Sequence, residues 1–223
     1  MITDNRFRLW MYQQPFVNAL YGRISIVKRF LMSRFPLTGE LPQQPFFVIG
    51  AARSGNTLLR AILANSEQLV IPPESYALGN IVRVWQRLNF LEWEELVRVV
   101  LGAFASHDEF YTWDLDLKEL YQQLNGLPES DKNLATCLSM LFFSYRDRHQ
   151  PYATRWGDKT PLNSEYLPWL NLVFPQAQYI HIVRDGRDCV ASMMRAGFQG
   201  GDLQLAALEW QGGGGNNLRV GGQ

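Results

Sequence analysis

The 223-residue chain is expected to form a three-layer α/β/α fold, a short parallel sheet flanked by helices. Three observations predict it. Pro45-Phe-Phe-Val-Ile-Gly50 is an apolar run that breaks into a glycine-spaced loop, Gly50 to Gly55, ahead of the apolar stretch Leu58-Leu-Arg-Ala-Ile-Leu-Ala64. Roughly 130 residues on, Ala177-Gln-Tyr-Ile-His-Ile-Val183 again reads as a buried strand; it ends at Arg184-Asp-Gly-Arg-Asp188, and Cys189-Val-Ala-Ser-Met-Met-Arg195 suits a following helix. Between these two strand–loop–helix units, residues 76–150 carry mostly helical periodicity. Strands that alternate with helices point to a parallel sheet.

Taken in order, residues 1–40 stand apart. Arg6-Phe-Arg-Leu-Trp-Met-Tyr12 and Ile24-Ser-Ile-Val-Lys-Arg-Phe-Leu-Met-Ser-Arg-Phe35 mix basic and apolar residues at near-helical spacing. They predict a basic amphipathic helical segment, with Pro36-Leu-Thr-Gly-Glu-Leu-Pro42 as the linker into the first strand. No apolar run of about 18 residues predicts a membrane span, and charges interrupt any cleavable-signal pattern. Such a helix packs on its own domain or makes a peripheral membrane contact. Val48 and Ile49 suit a buried first strand, and Gln68-Leu-Val-Ile71 a short second one before Pro72-Pro-Glu-Ser75. In the helical middle, Leu91 to Leu101 has an apolar face, Asp114 reads as a helix cap, and Leu134 to Tyr145 as core. Trp85, Trp93, Tyr111 and Trp113 either line a pocket or fill the core, and their helical spacing favours the core. Residues 41–210 are thus expected to form one domain. The glycine-rich end, residues 211–223, reads as disordered or truncated, since glycine loses the most freedom on ordering.

Composition narrows the function. At 47% hydrophobic and 13% aromatic residues the chain can bury a substantial core. Its 21 basic and 21 acidic residues cancel, so no global field draws it to nucleic acid. Cys137 and Cys189 have neither zinc-ligand spacing nor a disulfide framework and read as free thiols of a cytoplasmic protein. His107, His149 and His181 are far apart, and no metal site is expected.

The chemistry lies in the two loops. Gly50 and Gly55 have the spacing of the phosphate loop G-x-x-x-x-G-K-[ST], with Thr57 in the hydroxyl position. The expected fold is therefore of the phosphate-loop kind: a strand ends, glycines let backbone approach an anion, and a helix begins whose N–H groups face it. The lysine that reaches the outer phosphates in that loop is missing. Asn56 takes its place, and Arg53 supplies a positive charge inside the loop. This favours a phosphate or sulfate cradle over an ATPase. In the second unit, Arg184 falls at the carboxyl end of a strand, where open α/β sheets bind ligands, and Ser192 on the next helix can face the same anion.

Here the chain resembles the sulfotransferases that use 3′-phosphoadenosine-5′-phosphosulfate. Arg53-Ser-Gly-Asn-Thr-Leu-Leu-Arg60 is similar to that family's 5′-phosphosulfate loop, in the arginine-bearing form of the tyrosylprotein and related bacterial enzymes. Ile182-Val-Arg-Asp-Gly-Arg-Asp-Cys-Val-Ala-Ser192 is similar to its 3′-phosphate motif, including the Arg184-to-Ser192 interval of eight residues. Trp156-Gly-Asp-Lys-Thr-Pro161 resembles the element with the catalytic lysine. The likeness covers roughly residues 45 to 210, with Asn56 where a threonine is usual.

The resemblance implies roles. Arg53 and the backbone N–H groups of Ser54, Gly55, Asn56, Thr57 and Leu58 would hold the 5′-phosphosulfate. Arg184 and Ser192 would bind the 3′-phosphate, which is retained in the product adenosine 3′,5′-bisphosphate. Lys159 would stabilise charge on the bridging oxygen, Arg53 would join it in neutralising the transition state, and Glu74 would be the base, with His107 as the alternative. The acceptor would be a hydroxyl or amine on a small molecule, glycan or peptide, and no metal is implied. The family's chains usually run on past Trp210, so weak donor binding and poor turnover are expected. A non-catalytic module of the same fold remains the second reading and a phosphate-loop kinase the third.

Overall fold

The computed structural model describes residues 34–211; the basic amphipathic stretch before residue 34 and the glycine-rich end from residue 212 lie outside the described residues. At the centre is a four-stranded parallel sheet in the order β2-β3-β1-β4. The strands are β1 (Phe46–Ile49), β2 (Leu69–Val70), β3 (Arg155–Asp158) and β4 (Gln178–His181). The register sets Phe46 against both Gly157 and Gln178, Ile49 against His181, and Val70 against Trp156. Because helices cover both faces, all four β1 residues are buried, as parallel sheets require.

Strand periodicity divides those side chains between two cores. Phe47 and Ile49 enter the larger core, with Trp85, Trp93, Trp113, Phe142 and Trp156. Phe46 and Val48 enter the smaller one, with Ile71 under Leu59 and Leu63. The larger core belongs to the helical middle: α2 (Leu78–Leu88), α3 (Trp93–Ala105), α4 (Leu117–Asn125), α5 (Leu134–His149) and α6 (Leu167–Val173). The smaller core lies under α1 (Asn56–Leu63). After β4, α7 (Gly186–Arg195) and α8 (Leu203–Trp210) share a third cluster, Val190, Met193 and Ala206. No helix among the described residues is long and apolar enough to cross a membrane.

Two local expectations need correction. The helix cap is Asp116, whose carboxylate accepts from the N–H groups of Lys118 and Glu119. Asp114 instead ends a preceding 3-10 turn with φ of 50°. The strand β3 was not expected, since Arg155-Trp-Gly-Asp158 carries one large apolar residue. Its neighbours impose the extended form. Gly157 admits the Phe46 ring, which a Cβ there would meet at 2.4 Å. Of the four aromatics weighed above, Trp85, Trp93 and Trp113 are core, while Tyr111 is exposed.

Candidate active site

Most candidate site residues follow a strand or start the helix after it; Ser192 lies within α7, and His107 follows α3. The loop after β1 closes on itself. Ser54 N–H donates to the Ala51 carbonyl at 3.2 Å, and Asn56 Nδ2 donates to the Gly50 and Ala51 carbonyls at 3.2 and 3.1 Å. Asn56, where a phosphate loop has lysine, thus turns inward and locks the loop from beneath. Gly50 is required there: its φ is 151°, and a Cβ would meet the Ile182 carbonyl at 2.6 Å. Gly55 precedes α1 with φ of 107° and no side chain caps the helix. The helix's leading N–H groups, Gly55 to Leu58, therefore lack intrahelical acceptors. Ser54 differs from expectation. Its N–H is used within the loop, and its hydroxyl lies 3.5 Å from the buried Cys189 thiol.

The loop after β4 meets this one. Arg53 adopts a left-handed φ of 64°, and its Nε donates to the Ser192 hydroxyl at 3.2 Å. Arg184 in turn donates to the Arg53 carbonyl at 3.3 Å. Arg184 is only loosely paired with Asp188, at 3.6 Å, and both are solvent-exposed, so its charge is available to a ligand. Asp185 caps α7 and accepts from Arg187; that contact holds its carboxyl down to about 2. The start of α7 is therefore already neutralised, which leaves Arg184 and Ser192 as the candidate anion contacts of this loop.

The loops after β2 and β3 bring Glu74 and Lys159 together. Lys159, 4% exposed, donates to Glu74 Oε1, and the Tyr76 hydroxyl donates to Oε2. Tyr76 has φ of 50°, a conformation that costs a non-glycine residue about 1–2 kcal/mol; such strain gathers at functional sites. Burial and the Glu74 carboxylate push its phenol well above the usual range. Behind the pair lies Asp158, fully buried. Its Oδ2 accepts from Asn163, and its Oδ1 has no partner in hydrogen-bonding geometry. Desolvation raises its carboxyl to about 6, against the opposing pull of Thr160, Asn163 and Ser75.

These parts open on one cleft of about 380 Å³, lined among others by Arg53, Thr57, Glu74, Lys159, Arg184 and Ser192. Gly55 and Asn56 also line it. Leu58 does not, and its side chain is exposed. His107 stacks on Tyr76 with ring centroids 6.1 Å apart, one side chain removed from Glu74. Among the described residues no cluster of His, Cys, Asp or Glu could hold a metal ion. Sequence reasoning missed Tyr76 and Asp158, and also Arg60, which donates to the Ile71 and Pro72 carbonyls. The only available signal was their place beside Glu74 and Lys159 and in the first loop's helix.

The domain is thus of the phosphate-loop-like α/β class, with a cleft lined by Arg53, Lys159 and Arg184 at its strand ends, where open α/β sheets bind ligands. The sulfotransferase family model matches residues 45–213, and the chain belongs to that family. It is 23% identical over 173 residues to a Caenorhabditis briggsae protein titled "Putative protein-tyrosine sulfotransferase", covering 75% of this chain and 51% of that one. The chain thus spans about half the length of this curated relative. The solved sulfotransferase domain of the Synechococcus PCC 7002 olefin synthase aligns at 22% identity and a TM-score of 0.49, covering 85% of this chain and 65% of that one.

Proposed function

We propose that this chain transfers a sulfuryl group from 3′-phosphoadenosine-5′-phosphosulfate to a hydroxyl or amine of an acceptor. The observation that carries the reading is the convergence of Arg53, Arg184 and Ser192 with the Lys159–Glu74 pair on one cleft. The donor set suits a molecule with phosphate at both ends: two guanidinium groups, a hydroxyl and an uncapped helix start. When bound, the donor supplies an activated sulfuryl group. Arg53, the N–H groups from Gly55 to Leu58 and the Thr57 hydroxyl hold its 5′ end. Arg184 and Ser192 grip the 3′-phosphate, which separates this donor from ATP. Glu74 takes the acceptor's proton, and Lys159 neutralises charge on the departing oxygen. The C. briggsae relative's title makes a tyrosine hydroxyl one member of the acceptor class to screen.

Thermal shift with adenosine 3′,5′-bisphosphate tests the donor site. At about 100 times its dissociation constant a ligand stabilises by roughly 2.7 kcal/mol. Stabilisation by the bisphosphate in chelator, and none by magnesium-ATP, is expected. Stabilisation by magnesium-ATP alone would replace this reading with a kinase, and indifference to both would remove the donor site.

A further inference from the structure

Glu74 is held from two sides, and its two partners differ in kind. Lys159 is a cation in the same cleft as Arg53 and Arg184, so an anion arriving there competes with Glu74 for it. Tyr76 is neutral, and an incoming anion has no comparable claim on its hydroxyl. Tyr76 is also fixed independently of Glu74. Its backbone sits in the left-handed region at φ 50°, and its ring packs against His107 at 6.1 Å and 30°. Both restraints act whether or not Lys159 keeps its contact.

From this geometry we propose that Tyr76 is the positioning residue of Glu74, holding the carboxylate aimed into the cleft once Lys159 turns to the bound anion. The proposal rests on the reading of Glu74 as the base. A glutamate that loses its only anchor regains side-chain freedom, and a base must stay within hydrogen-bond reach of the proton it takes. Tyr76 supplies the second anchor. His107 then serves as the wall behind Tyr76 rather than as the base.

Two measurements decide it. The first needs neither donor nor acceptor: crystal structures of Lys159→Ala and of Lys159→Ala/Tyr76→Phe. Phenylalanine keeps the ring against His107, and thermal melting checks that both variants fold. Glu74 is expected in one position in the single variant and spread over several rotamers in the double. A Glu74 equally ordered in both overturns the proposal. The second compares Tyr76→Phe with the unmodified chain in sulfuryl transfer from labelled donor. A roughly tenfold fall in kcat is expected, with the donor KM within about twofold, because only a hydrogen bond to the base is lost. A change confined to KM overturns the proposal. Absence of turnover in the unmodified chain would sink the proposed function, and the crystallographic comparison would still decide the role of Tyr76.

Discussion

Replacing Asp158 with asparagine isolates what it costs to keep a carboxylate beneath the Lys159–Glu74 pair. Burial raises this carboxyl from its ordinary 3.8 to about 6. The folded protein therefore holds the proton more tightly than the unfolded chain does. Its contribution to stability is fully favourable below the unfolded value and is lost as pH rises through the folded one. At about 1.4 kcal/mol per unit, the ionised side chain costs the fold about 3 kcal/mol at neutral pH. An amide never pays that penalty and still offers Asn163 an acceptor. Relative to the unmodified chain, Asp158→Asn should thus gain roughly 0.5 kcal/mol near pH 4, about 1.5 near pH 5 and about 3 near pH 7. A constant offset for the altered contacts to Ser75 and Thr160 adds to all three values. Urea unfolding of both proteins across this range gives the difference directly. A difference flat between pH 4 and 7 would refute the reasoning, since it would mean that Asp158 ionises alike in both states.

Other perturbations separate binding from chemistry. Lys159→Ala should weaken bisphosphate binding by no more than about a few-fold, since the anion gains Lys159 only by taking it from Glu74, while turnover falls on the order of 10²–10³; unchanged turnover removes Lys159 from the mechanism. Arg184→Ala removes a charge-assisted contact of about 1.5–3 kcal/mol, so calorimetry should find bisphosphate binding weaker by roughly tenfold to a hundredfold. Asn56→Ala takes away both bonds that lock the loop. Urea unfolding should show a loss of about 1–3 kcal/mol, and bisphosphate binding should weaken with it. Full stability in that variant would mean that Asn56 does not hold the loop.

The two loops of the candidate site were legible in the sequence because their signals are local. The Gly50–Gly55 spacing, the apolar run before it and the Arg184–Ser192 interval each occupy a few consecutive residues; the apolar run forms β1, and the two loops follow the carboxyl ends of β1 and β4. What escaped was set by distant neighbours. The strand β3 owes its form to pairing on both sides, and Arg155 uses its guanidinium on the Gln44 and Pro45 carbonyls and on Gln178. Asp114 and Asp116 are equally good caps by residue type. The left-handed turn at Asp114 decides between them, and no sequence rule gives that angle. Tyr76 stands two residues from Glu74, but neither its positive φ nor its hydrogen bond to that carboxylate has a sequence rule.

The Glu74–Lys159 pair shows why sheet order matters more to this site than sequence proximity. The two residues are 85 positions apart, yet β2 pairs with β3 so that Val70 faces Trp156. Four residues past Val70 and three past Trp156, the chain reaches Glu74 and Lys159 on the same side of the sheet. Three further ties fix the approach. Ser75 N–H donates to the Thr160 hydroxyl at 3.0 Å, joining the two loops next to the ion pair. Arg60 reaches from α1 to the Ile71 and Pro72 carbonyls, joining the loop that carries Glu74 to the helix that begins at the proposed anion cradle. Gly50 N–H, at the base of that cradle, donates to Ser164 at 3.2 Å in the turn after Lys159. Together these ties join the chain segments after β1, β2 and β3 to one another around the ion pair. Preorganisation of this kind is what the proposed transfer needs, since charge must be met by groups already in place.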